Sequence, residues 1–313
     1  MSVLQTIGWW CSGTIGKPWT WQYRPLVGVW LLVAVLGGLY TFALHRHARQ
    51  HGGYAPLTRL YALRFGAGLL LLVLSSDWPL GPLGAGYLAG VGALRTLLFT
   101  FGVAPLLVLG MPPWLLRRML RIPSEPVPGQ PPSRVLRAAQ IVTLPWVAFL
   151  QFNALLIVTQ LPVVVDGLKI YQAGSFALDM TWLASSIVMW VPLLRPLPQL
   201  GGLGDPMRLL YLFGLSILPT VPASFLTFST FPLYELYELS PRVFPALDAV
   251  TDQQIAGLTM KIVGGLAIWS VLTVLFFRWS KTEQDDNAPP VSWSRFEREL
   301  DRYDLRERHP ENP

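Results

Sequence analysis

Three charged side chains, Arg95, Asp179 and Lys261, lie inside apolar runs where a bare charge is expensive. An ionisable group in a membrane-crossing segment marks a functional site or a paired contact. Counted from the start of their runs, the three lie about 12, 6 and 10 Å deep at 1.5 Å per residue, all in the same half of a bilayer. A carboxylate flanked by a guanidinium or ammonium group offsets much of the several kcal/mol that each charge would cost alone. The expectation is an intramembrane ion pair between Asp179 and either Arg95 or Lys261. A fourth charge, Arg64, lies within about a turn of a boundary and can reach water along its own stem.

Lys261 belongs to the stretch TDQQIAGLTMKIVGG, residues 251–265. Asp252, Gln253 and Gln254 there, with Asp77 of LVLSSDWPL, form a candidate polar cluster at the outer helix ends. An acid suits the positive end of the helix dipole, and Gln side chains satisfy free amides. Gly257, Gly264 and Gly265 are expected to admit a close neighbouring helix.

Other chemistry is thin. The single cysteine, Cys11, excludes an intrachain disulfide and a Cys-pair metal site, and reads as an interfacial thiol. None of His45, His47, His51 and His309 lies in an apolar run, so no histidine haem or copper site is expected in the membrane core. The cluster HRHARQH reads as a basic flank, because His45 and His51 are six apart and His47 is taken to share a helix face with neither. There is no phosphate loop, nucleophile elbow or paired-carboxylate arrangement, and GGLGD at 201–205 is a turn with no strand before it. No enzyme is expected.

These residues must be positioned by membrane helices. Hydrophobic residues make up 52% of the 313 and charged residues 13%; the mean hydropathy is +0.43. That composition belongs to a polytopic membrane protein. Runs near 26–44, 61–77, 87–109, 139–161, 175–194, 208–228 and 254–277 predict an all-α bundle of seven transmembrane helices. Pro219 and Pro222 should kink the sixth. Lys and Arg divide 17 to 4 between the two sets of connections, which predicts an outside N-terminus and a cytoplasmic C-terminus. Topology explains the net charge of +6 without a nucleic-acid partner.

The expected organisation is an outer interfacial segment (1–25, with no signal peptide), a membrane domain (26–280) and a cytoplasmic tail (281–313). IPSEPVPGQPPS at 122–133 is a flexible link. In the tail, KTEQDDNAPP is a polar linker to a short amphipathic helix carrying Trp293, Phe296, Leu300 and Tyr303, a candidate surface for docking a partner protein.

Eight blocks in order carry a family resemblance: WTWQYRP, LVLSSDWPL, VAPLLVLGMP, TLPWVAFLQFNALL, MWVPLLRPLP, RLLYLFG, LTFSTFPLYELYELSPR and DQQIAGLTMKIVGG. Together they resemble the CtaG-type cytochrome c oxidase assembly factors over residues 19–281. The resemblance implies a bacterial cytoplasmic-membrane protein that serves a haem-copper oxidase, with oxidase subunits and the lipid bilayer as partners. It also implies histidines in the membrane. At those positions this chain has Gly92 and Thr96, Gln160, and Ser175 and Asp179, so a divergent member is expected, with no cofactor. Copper is not favoured, and softer ligands such as Met180, Met189 or Met260 would have to replace the imidazoles. A salt bridge in place of the metal is the expected substitute. The alternatives are a resident structural subunit of a terminal oxidase or respiratory complex, and more weakly a small-molecule or copper transporter, whose path the charges do not form.

Overall fold

The computed structural model describes residues 8–53, 57–123 and 131–286. Its first half contains α1 (Val27–Gln50), α2 (Thr58–Ser76), α3 (Leu80–Gly86), α4 (Ala89–Leu109), α5 (Pro113–Met119), α6 (Arg134–Val142) and α7 (Pro145–Thr159). The second contains α8 (Pro162–Lys169), α9 (Gln172–Leu194), α10 (Asp205–Ile217), α11 (Thr220–Phe228), α12 (Glu235–Glu238) and α13 (Ala249–Asp286). The described residues form no strand. The proposed tail helix with Trp293, Phe296, Leu300 and Tyr303 lies outside them.

Six stretches are long and apolar enough to cross a bilayer, α10 and α11 counting together, and α6 with α7 make a seventh if they are one broken span. The expected fourth span, 139–161, is therefore not one straight helix: α6 and α7 meet at 66°. Pro145 opens α7 and pushes Leu144 to extended backbone, φ −55° and ψ 131°. The expected proline break in the sixth span lies between Ile217 and Thr220. In α4, Leu98–Val103 form a π-helical turn in which the Ala104 N–H bonds the Phe99 carbonyl; Pro105, next along, has no N–H to continue the regular ladder.

The last helix departs from expectation at both ends. At 38 residues α13 is about 57 Å long, well beyond a hydrocarbon core of about 30 Å. It runs through Asp286, so residues 281–286, expected as polar linker, continue the helix. It begins at Ala249, where Asp248 Oδ1 accepts from the Thr251 N–H at 2.7 Å. Asp252 therefore does not cap its own helix.

Asp252 caps a neighbour instead. The residues before α1, α4 and α12 are Leu26, Leu88 and Tyr234, and none supplies a side-chain cap. Distant aspartates do so. Asp252 accepts from the Ala89 and Gly90 N–H groups at 2.5 and 3.1 Å. Asp77 accepts from the Leu26 N–H and Trp30 Nε1 at 2.8 Å each, and from the Tyr23 hydroxyl at 3.3 Å. Asp166, which sequence reasoning passed over, accepts from the Glu235 and Leu236 N–H groups at 3.2 and 3.1 Å. The expected polar cluster of Asp77, Asp252, Gln253 and Gln254 is thus several separate contacts. Gln253 takes the Leu233 N–H at 2.7 Å and Gln254 donates to the Ser229 carbonyl at 3.2 Å, which ties the chain after α11 to α13.

Close packing of α13 is also more local than its glycines suggest. A Cβ on Gly257 would come within 2.6 Å of the Ala223 carbonyl on α11, whereas one on Gly265 would meet nothing within 4 Å. Asp252→Ala strands two N–H groups at the start of α4 and is expected to cost about 1–2 kcal/mol, read as a lower midpoint of thermal unfolding in mild detergent. Gly265→Ala should leave that midpoint undiminished.

Candidate functional site

Arg95 stands near the start of α4 with its side chain 5% exposed, too buried to be solvated by water. Its Nη2 lies 2.8 Å from Asp179 Oδ2 on α9. Its Nε donates to the Ser75 carbonyl at 2.7 Å, in the last turn of α2 where helix carbonyls have no partner of their own. The guanidinium also lies 5.8 Å from the centre of the Phe99 ring. Asp179 Oδ2 accepts a further hydrogen bond from Trp10 Nε1 at 2.9 Å. Lys261, the other expected partner, is not there. It is exposed and forms no ion pair among the described residues. It borders a second cavity, next to Thr100 and Gly264. Seventh-helix geometry sets it apart, since the α13 face turned toward the start of α4 carries Asp252 and Ala256 instead.

The segment before α1 supplies the part of the site that sequence reasoning missed. Trp10 and Cys11 are 1% and 2% exposed, inside the bundle and not at its interface. Trp10 packs edge-on to Phe176, ring centres 4.9 Å apart. The backbone holds the segment in place: the Gly13 N–H donates to the Lys169 carbonyl at 2.7 Å and the Gly28 N–H to the Trp9 carbonyl at 2.8 Å. Cys11 Sγ lies 3.5 Å from Arg95 Nη2 and 4.0 Å from Ser175 Oγ. Burial pushes its thiol up to about 11 despite the pull of Arg95, so it is uncharged at neutral pH. No spacing in the sequence marks this contact. The signal was only an indole donor next to a cysteine in a segment otherwise read as interfacial.

Beside the ion pair lies a polar cavity of about 50 Å³. Gly92, Thr96, Gln160 and Asp179 all border it, although they come from α4, the end of α7 and α9. Ser175 does not, and stands next to Cys11 instead. Lys169 and Tyr237, neither predicted, form another part of the border, with Lys169 Nζ donating to the Tyr237 hydroxyl at 3.0 Å. Tyr234 donates to Gln160 Oε1 at 3.0 Å, and burial raises its hydroxyl well above the usual tyrosine range, which keeps it a donor. The second cavity, also about 50 Å³, is mostly apolar and shares Ala93, Thr96, Trp182 and Met260 with the first as a common wall.

The model of the cytochrome c oxidase caa3 assembly factor family, Caa3_CtaG, matches residues 38–282. The chain belongs to that family. No curated protein and no solved structure matches it. As a Caa3_CtaG protein with apolar membrane-spanning helices, it is a membrane assembly factor for cytochrome c oxidase.

The donors at the cavity do not fit a copper ion. Gly92 has none, the Thr96 hydroxyl donates to the Gly92 carbonyl at 3.1 Å, and Asp179 is held by a guanidinium. That guanidinium puts positive charge where a metal cation would sit. Among the described residues no three His, Cys, Asp or Glu side chains gather. The methionines do not gather either: Met180 packs in the Trp10 cluster, and Met189 borders the apolar cavity but not the polar one. His47, near the end of α1, stacks on Trp114 instead. His47, four residues before His51 and so on the same face, has its ring centre 4.1 Å from that ring and 3.9 Å from Trp114. This corrects the expectation that His47 shares a face with neither neighbour.

Cys11 gives a direct check on the buried segment. Because its neutral form is favoured in the folded protein, the stabilisation is complete below the thiol's unfolded pKa and is lost as pH rises through about 11. Iodoacetamide should therefore label the native protein slowly up to pH about 9 and the unfolded protein quickly, as read by intact mass.

Proposed function

We propose that this Caa3_CtaG protein serves a haem-copper cytochrome c oxidase as an accessory or assembly factor with no copper site of its own. It acts by contact and not by catalysis, from the bacterial cytoplasmic membrane. The observation that carries the reading is the Arg95–Asp179 ion pair at the cavity where the family resemblance would place imidazoles. A metal ion joins helices by ligand bonds, and here charge and hydrogen bonds join α2, α4, α9 and the Trp10 segment. The arginine distribution supports a topology with the Trp10 segment outside and Arg46, Arg117, Arg137 and Arg195 on the cytoplasmic side. On this topology the site faces the outer half of the bilayer.

A resident oxidase subunit is the second reading, supported by the same ion pair, since a node with no exchangeable ligand suits a permanent structural part. Mild-detergent purification separates the two: stoichiometric recovery with the oxidase supports the subunit, and transient association supports the factor. In cells that carry the chain, its deletion should lower assembled cytochrome c oxidase, measured by reduced-minus-oxidised haem spectra. The protein purified with copper supplied should hold far less than a stoichiometric amount. Normal oxidase levels after deletion, or one bound copper per chain, would contradict the reading.

A further inference from the structure

We propose that the polar cavity is an anion site that takes a small carboxylate between Lys169 and Arg95. The inference rests on the reading that this cavity is not a copper site, and asks what it holds instead. Charge comes first. The border carries Arg95, Lys169 and Asp179, and Asp179 is spent on Arg95, which leaves Lys169 with no acidic partner among the described residues. Its ammonium has only the Tyr237 hydroxyl at 3.0 Å and the face of that ring at 5.5 Å. A half-buried positive charge next to a bilayer is costly until an anion faces it.

Hydrogen bonding points the same way. The hydroxyl protons of the border are already given to the protein: Tyr237 to the Gly84 carbonyl at 2.8 Å, Thr159 to the Leu155 carbonyl at 2.8 Å, Thr96 to the Gly92 carbonyl at 3.1 Å. The unspent N–H donors are on Arg95 Nη1, Gln160 Nε2 and Lys169 Nζ, none of which has a full set of partners among the described residues, and they outnumber the one carboxylate oxygen on the border that accepts nothing, Asp179 Oδ1, whose charge Arg95 already balances. A guest must therefore accept hydrogen bonds and carry negative charge. Water satisfies the first requirement and not the second. A single water needs about 10–15 Å³ on this measure, so about 50 Å³ admits a carboxylate head of a few heavy atoms. The carboxylate could be a free small acid or the end of a longer one whose tail enters the adjoining apolar cavity past Thr96 and Met260.

The test is calorimetric titration of the purified full chain in an uncharged detergent with sodium acetate and, separately, sodium octanoate, each against sodium chloride at matched ionic strength. Saturable binding of acetate is expected. Lys169→Gln should weaken it by about tenfold or more, while Lys169→Arg keeps it. Gln160→Leu, which leaves every ion pair intact, should weaken it too and covers the case in which Lys169→Gln fails to fold. Octanoate binding tighter than acetate supports a longer acid, and equal affinity supports a free one. Absence of saturable heat from both, or folded Lys169→Gln and Gln160→Leu proteins that bind as tightly as the parent, would overturn the proposal. Such a failure leaves the oxidase phenotype intact, whereas stoichiometric copper would remove the reading beneath it.

Discussion

A guanidinium cannot lose its charge within a bilayer, so Arg95 dictates what surrounds it. It needs a carboxylate, and α9 supplies Asp179. It needs further acceptors, and the last turn of α2, whose carbonyls have no helical partner, supplies the Ser75 carbonyl. Asp179 in turn has lone pairs left over, and the Trp10 indole fills one of them. The buried segment before α1 thus completes the site: without Asp179 the Trp10 indole inside the bundle would have no acceptor. The arrangement joins α2, α4 and α9 by charge and hydrogen bonds.

The same economy operates at the other helix starts of that end. Each of α1, α4 and α12 begins after a residue that cannot cap it, and each takes its acceptor from an aspartate far away in sequence. A trans-cap does two jobs, satisfying N–H groups and fixing one helix against another. Asp252 therefore sets the register of α13 on α4, where Ala89, Ala93 and Ala256 pack. Two of the irregular stretches lie at a cavity: the π turn of α4 and the proline break between α10 and α11 bring Thr100 and Pro219 to the apolar one.

Much of this was legible in the sequence, because the bilayer imposes strong rules. Span positions followed from apolar length, and the cost of charge in hydrocarbon singled out Arg95 and Asp179. Where sequence reasoning went astray, the cause was long-range. Lys261 lies at a plausible depth, but depth does not give rotation about a helix axis, and the face of α13 toward Arg95 belongs to other residues. Asp252 lies in the first turn of its own helix, as expected for an acid at the positive end of the dipole, but local rules cannot see that it also caps a neighbour's bare N-terminus. Trp10, Cys11 and Lys169 sit in connecting segments, whose packing no periodicity reports. The fourth span looked continuous by hydropathy, although Pro145 carried a local signal for the bend.

The central claim is that Arg95 and Asp179 act as one unit, and a double-mutant cycle measures this directly. Unfolding of the parent, Arg95→Met, Asp179→Leu and the double variant in the same detergent should show each single change costing about 3–5 kcal/mol, because it strands a buried partner. The double variant should recover most of that loss. If the double variant instead loses the sum of the two single effects, the residues are not coupled and the ion pair does not organise the site.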